Sequence, residues 1–246
     1  VRLWAVVVAV VVVGACAVGS GPAGGTTTPP SRPSVVYAAI GASETAGAGT
    51  RDPARESYPQ VLFRRLDRSA VLYDFGLPGE TTEAALNDEL PGALAVRPTL
   101  ATVWLSVDDL AAGVPVADYE RRLDQLVGAL RRAGVSRVLL ANTPHLDRMP
   151  AFVACWSDLP AARCPLDVPA LISPDQVGEL VLAYNAAIAR VAERQGATLV
   201  DLYAAGEVPD LHPGYVSGDG LHPSAAGAAA IAATFARALD TGRSEP

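Results

Sequence analysis

The chain has 246 residues, of which 50% are hydrophobic and 18% charged, with a formal net charge of −7. That balance suits one compact domain with a full core and excludes disorder over most of the length, while the negative charge removes the electrostatic basis for binding nucleic acid. All 19 basic residues are arginine, so Schiff-base formation, pyridoxal phosphate attachment, a phosphate-loop lysine and a Ser-Lys dyad are excluded with the missing amine.

Residues 1–15 read as a signal peptide. Arg2 precedes an apolar run over residues 3–13 that is short for a bilayer span and ends in small residues. Val13-Gly14-Ala15-Cys16 resembles the lipobox of bacterial lipoproteins, which implies lipidation of Cys16 and an exported protein, membrane-anchored or secreted. Residues 16–34 are rich in glycine, threonine, proline and serine and are expected to form a flexible tether, with a folded domain over 35–241 and a short tail over 242–246. Cys155 and Cys164 are the other two cysteines. In an exported protein they are expected to form a disulfide, which over so short a loop contributes about 2 to 3 kcal/mol.

Within the folded part, Val35-Val36-Tyr37-Ala38-Ala39-Ile40 predicts a buried strand, followed by strands over 71–75 and 101–105. Tyr119, Leu123, Leu126, Val127 and Leu130 fall on one helical face, and Val138-Leu139-Leu140-Ala141 is a further strand. Residues 143–174, with several prolines and both late cysteines, read as a long loop or insertion. Val177, Leu180, Val181, Tyr184, Ile188 and Val191 predict a second amphipathic helix, before a strand over 198–200 and an alanine-rich helix over 224–239. The alternation of strand and helix implies an α/β fold, a three-layer α/β/α arrangement around a flavodoxin-like, doubly wound parallel sheet of about five strands.

Ligands of such sheets bind beyond the carboxyl ends of the strands, where the first strand runs into Gly41-Ala42-Ser43-Glu44-Thr45. A serine in such a turn is most often a helix cap. Near the other end, Asp219-Gly220-Leu221-His222-Pro223 sets a carboxylate three residues before a histidine, the acceptor an imidazole needs to act as an oriented base. His145 and His212 compete, and Asp210-Leu211-His212-Pro213 imitates the motif with the carboxylate one position nearer.

These blocks resemble the SGNH or GDSL hydrolase family over residues 35–238. The resemblance implies Ser43 as nucleophile, with Asp219 and His222 completing a catalytic triad, and the amides of Ser43 and Gly79 (in Gly76-Leu77-Pro78-Gly79-Glu80-Thr81) as oxyanion donors. It implies a serine esterase or lipase needing no cofactor or metal, acting as a monomer on a small-molecule, lipid or acylated glycan ester. Four positions depart from the family pattern. Ala42 and Glu44 stand where aspartate and leucine are usual, and Gly-x-Asn-Asp appears as Ser106-Val107-Asp108-Asp109, so that Asp108 replaces the oxyanion asparagine.

Loss of one preorganised oxyanion donor costs about 3 to 4 kcal/mol. An ionised carboxylate in its place is worse, since like charges about 3.5 Å apart repel by about 5 kcal/mol at an effective dielectric of about 20. A buried, protonated Asp108 would donate as the amide does and give an acid-shifted pH optimum. Alternatively the two amides suffice and Asp108 turns away, or the domain has lost catalysis and binds a lipid or glycan ligand. A metal hydrolase using Asp108, Asp109, Asp219 and His222 is the remaining reading, for which no paired His or Cys spacing speaks.

Overall fold

The computed structural model describes residues 33–156, 173–206 and 212–241. Cys16, Cys164, Asp210, the leader, residues 16–32 of the tether and the C-terminal tail lie outside the described residues.

Five strands, β1 (Val36–Gly41), β2 (Val71–Asp74), β3 (Leu100–Trp104), β4 (Arg137–Ala141) and β5 (Thr198–Val200), form one parallel sheet in the order β2-β1-β3-β4-β5. β1 and β3 are buried on both faces, which is why they read as unbroken apolar runs rather than alternating ones. The order places β1 and β3 side by side, with Gly41 in register with Trp104. The chain segments leaving β1, β2 and β3 therefore meet at one rim, the position at which a doubly wound sheet binds ligands.

Side chains of β1 alternate between two cores. Ala38 and Ile40 face a layer built by α4 (Thr82–Asp88), α5 (Leu90–Ala95), α7 (Val116–Arg132) and α9 (Pro174–Gln195). Tyr37 and Ala39 face α3 (Tyr58–Phe63) and α10 (Ala225–Thr241). The expected faces of α7 and α9 meet there, with the Tyr119 and Tyr184 ring centroids 4.4 Å apart. Arg190 and Arg194 pair with Glu120 across the outer seam. On the opposite layer Tyr58 stacks on Phe235 at 4.8 Å, fixing α3 against α10. α9 starts with a full capping box, Ser173 with Gln176, and ends at Gly196 in the left-handed region.

The region over 143–174 is not an unbroken loop. Leu146–Arg148 forms a 3-10 turn, Pro150–Trp156 forms α8, and Pro174 already belongs to α9. Residues 157–172 lie outside the described ones. The short helices α2 (Pro53–Glu56), α3, α4 and α5 occupy stretches without a readable periodic pattern, because four to seven residues complete no more than two turns.

Glu89, between α4 and α5, ties this scaffold to the rim. It is 1% exposed, accepts from the Gly41 amide at 2.8 Å, and leaves its Oε1 without a partner. Burial pushes its acid up to about 8 despite the Gly41 bond, with Glu80, Asp74 and Asp88 adding to the rise. A folded-state value above the unfolded one makes the native state bind the extra proton. Its contribution is then fully present below the ordinary glutamate range and lost as pH climbs to about 8, with a slope of up to about 1.4 kcal/mol per pH unit. Glu89→Gln keeps the acceptor without the ionisation. Urea unfolding between about pH 5 and pH 8 is expected to show a flatter stability profile for Glu89→Gln than for the parent.

Candidate active site

Gly41 ends β1 under tight constraint: an added Cβ would lie 2.6 Å from the Trp104 carbonyl and run into Thr45 Oγ1. Its carbonyl accepts from the Leu77 amide at 3.0 Å, so the loop after β2 is attached to the turn after β1. Ser43 opens α1 (Ser43–Ala46), and no side chain caps that start. Its hydroxyl is therefore not engaged as a helix cap. Ser43 Oγ lies 3.1 Å from His222 Nε2 and 3.3 Å from Glu44 Oε2, so one hydroxyl proton faces two acceptors.

The imidazole arrives from a turn closed by its own backbone. Val216 bridges Pro223 in antiparallel fashion, Ser217 N donates to the His222 carbonyl at 2.8 Å, and Gly220 N donates to the Ser217 carbonyl. Gly49, at φ +85°, lets the segment after α1 approach this turn: a Cβ there would sit 2.8 Å from His222 Cβ. Gly220, at φ +76°, gives the amide of Ala151 in α8 the same access from the other side. The start of α8 thus supports the histidine turn.

Asp219 Oδ1 accepts the amides of Leu221 and His222 at 2.8 and 2.9 Å, and Oδ2 lies 2.9 Å from His222 Nδ1. Burial pushes this acid up, but the hydrogen bonds from Leu221 and His222 outweigh it and hold the carboxyl down at about 2. An ionised acceptor at Nδ1 keeps the proton on that nitrogen, leaving the Nε2 lone pair directed at Ser43. Ser43, Asp219 and His222 are thereby brought together. His145 instead stacks on Tyr203 at 3.8 Å with Asp147 3.5 Å away, and His212 stacks on Tyr215 at 4.6 Å.

Gly79 lies between β2 and α4 at φ +81°, a left-handed conformation that favours glycine, with open space where a Cβ would be. Asp108 sits in the first turn of α6 (Val107–Ala111). Its Oδ2 is buried without a partner, so the carboxyl is not turned away to bind a loop through that oxygen. Burial, then Glu44 and Asp109, push its acid up to about 6, against a lowering influence from His222. The neighbouring Asp109 is structural, since its Oδ2 accepts both the amide and the hydroxyl of Thr82 at 2.8 Å and so joins α6 to α4. Ser106, in place of the family's glycine, is 2% exposed and accepts from Thr143 Oγ1 at 2.8 Å.

In the sequence, Glu44 stands out only as a departure from a motif. In the fold it touches Ser43 and lines a cavity that opens to solvent. The rest of that lining is almost wholly apolar, among it Trp104, Leu146, Met149, Leu221 and Ile231. No motif marks these residues, because they come from separate segments of the chain. Among the described residues, no three His, Cys, Asp or Glu side chains converge as a metal site requires. No described helix is long and apolar enough to cross a membrane. Cys155 lies in α8, its expected partner Cys164 outside the described residues.

This arrangement can move a proton from a serine hydroxyl to an imidazole oriented by an ionised carboxylate, beside a cavity able to receive an apolar chain. Solved structures share the fold. The TesA crystal structure aligns with 84% of this chain and 98% of its own, at a TM-score of 0.64 and 20% identity. LAE5, an alpha/beta hydrolase enzyme from the metagenome of Lake Arreo, Spain, aligns with 84% and 95%, at 0.63 and 22%. The psychrotrophic esterase EstA from Pseudoalteromonas sp. aligns with 85% and 99%, at 0.60 and 18%. No curated protein matches significantly. The model of the GDSL-like lipase/acylhydrolase family matches residues 39–230, most of the chain and every segment of the site, and the chain belongs to that family.

Proposed function

We propose that the protein is an exported serine esterase that cleaves carboxylic esters through an acyl-enzyme on Ser43, anchored to a membrane by a lipid at Cys16. The observation that carries the catalytic part is the pair of contacts linking Ser43 Oγ to His222 Nε2 and His222 Nδ1 to Asp219. Membership of the family and the fold shared with esterases support the reaction class.

In the first half-reaction, Ser43 Oγ bonds to the acyl carbon as its proton passes to His222 Nε2. The imidazolium faces the ionised Asp219, which stabilises it without taking the proton. The tetrahedral centre then collapses, the bond to the alcohol oxygen breaks, and the alcohol leaves with the proton from Nε2. A water then attacks the acyl carbon, giving a proton to Nε2, and collapse returns that proton to Ser43 Oγ and releases the acid. Gly79 N, Ser43 N and the Asp108 carboxyl face the oxyanion in this scheme, with Asp108 as donor only while protonated.

The test of the nucleophile is labelling with a fluorophosphonate. The parent protein is expected to react, Ser43→Ala to lose the label, and His222→Ala to slow labelling by about 10³-fold or more. Persistent labelling of Ser43→Ala overturns the assignment.

The role of Asp108 predicts a pH dependence with a definite sign. Its acid lies near 6 in the folded protein, so the donor is present below that value and its population falls about tenfold per pH unit above it. Hydrolysis of a short-chain nitrophenyl ester by the parent is expected to decline above about pH 6, and Asp108→Asn to remove that decline, with a gain of about 10²-fold near pH 8.

The replacement of the family's amide by Asp108 also motivates a second reading, a catalytically impaired protein that binds a lipid or glycan ligand. It predicts no hydrolysis by either form at any pH and no labelling of Ser43. The proposed disulfide between Cys155 and Cys164 is read separately, as a mass lower by two hydrogen atoms that is regained on reduction.

A further inference from the structure

The carboxyl of Glu44 occupies the junction between the nucleophile and the cavity. Its Oε2 accepts from Ser43 Oγ at 3.3 Å, and the same side chain is the only carboxylate among the described residues lining the cavity. Glu44 makes no ion pair among the described residues, and the rest of the nearby wall is built from Trp104, Val107, Leu146, Met149 and Leu221. Trp104 is 4% exposed, and its indole Nε1 has no hydrogen-bond partner. Leaving a buried donor unmade costs about 1 to 3 kcal/mol. A cavity whose lining is otherwise almost wholly apolar thus has a single carboxyl among the described residues that line it.

The two half-reactions decide which part of the ester belongs there. The acyl group stays on Ser43 until water releases it, whereas the alcohol has to depart before water can enter. A walled cavity beside the nucleophile therefore suits the acyl chain.

Resting on the esterase reading, we infer that Glu44 is a specificity-determining residue that selects acyl groups bearing a hydroxyl on the first or second carbon beyond the ester carbonyl. The position follows from geometry. A hydroxyl donating to Glu44 Oε2 lies about 2.8 Å from it, and Oε2 is itself 3.3 Å from the oxygen that attacks the carbonyl carbon. Together the two distances place the hydroxyl within about 6 Å of Ser43 Oγ, a reach that substituents on the first or second carbon beyond the carbonyl meet while the rest of the chain continues into the cavity. A hydroxyl fits better than an ammonium, because a neutral group enters an apolar cavity at a lower desolvation cost. The bound hydroxyl also occupies the carboxyl that competes with His222 for the Ser43 proton, so a substrate that satisfies Glu44 leaves the serine directed at the imidazole. An unsubstituted acyl chain does neither, and leaves a buried carboxyl facing methylene groups.

The experiment compares kcat/KM for nitrophenyl 3-hydroxybutyrate with that for nitrophenyl butyrate in the parent, Glu44→Leu and Glu44→Gln, with fluorophosphonate labelling of each as control. Leucine is the residue the family pattern carries at this position, and glutamine keeps an acceptor oxygen of the same reach. The parent is expected to prefer the hydroxy ester by about tenfold or more. Glu44→Leu is expected to bring the ratio to about one or below, chiefly by improving the butyrate, and Glu44→Gln to retain part of the preference. An unchanged ratio in Glu44→Leu, with Ser43 still labelled, overturns the inference and leaves the esterase reading standing. Absence of both labelling and hydrolysis in the parent overturns the esterase reading, and the inference with it.

Discussion

Ser43 Oγ and His222 Nε2 meet at 3.1 Å although 179 positions separate them in the chain. Their meeting depends on where β1 lies. With β2 on one side and β3 on the other, its carboxyl end is flanked by the segments that carry Gly79 and Asp108. α10 packs through Phe235 onto Tyr58 of α3, on the same sheet face as Tyr37 and Ala39. The turn just before α10 is thereby carried to the rim beside Ser43. Gly41 and Gly49 permit the last few ångströms of approach, since a Cβ at either would collide with backbone. A hydroxyl and an imidazole separated by one further ångström would not share a proton, so the scaffold has to be rigid there.

Several carboxyls are buried in this scaffold. Glu80, Glu89, Asp108 and Asp109 each leave a buried oxygen without a partner, and burial raises the acid of all four. Each has part of its environment satisfied through a specific bond or gains from being neutral. Glu89 accepts from Gly41, and Asp109 from Thr82. A neutral carboxylic acid both donates and accepts, whereas a buried carboxylate without a cation is costly to desolvate. Burial thus drives these acids upward, whereas hydrogen bonds from Leu221 and His222 hold Asp219, beyond the imidazole, down at about 2. Carboxyls driven in opposite directions around one serine and one imidazole form the pattern that acid-base chemistry uses.

The strands and the long helices are legible in the sequence because burial on both faces leaves continuous apolar runs, and because 17 and 22 residues of α7 and α9 allow a face to repeat. The serine and histidine blocks are legible through their spacing. The helices between β1 and β3 are not, since α2 to α5 are too short to show a period. Glu89 is invisible for a different reason: its partner is a backbone amide 48 positions away, which no side-chain pattern encodes. Glu44 is visible only as a departure from a motif, since its meaning depends on a cavity assembled from distant segments. The region over 143–174 reads as loop because its prolines interrupt periodicity, yet Pro150 and Pro174 both stand at helix starts, where a missing amide hydrogen is harmless.

Glu44 and Asp108, two of the departures from the family motif, reinforce each other. After burial, Glu44 is the next largest influence raising the acid of Asp108, while a charged His222 lowers it. A negative charge at position 44 therefore favours the protonated form of Asp108, the form that can donate a hydrogen bond. Burial, the largest influence on Asp108, acts in the same direction, toward the protonated form, and it is not offset by a paired arginine at that carboxyl among the described residues.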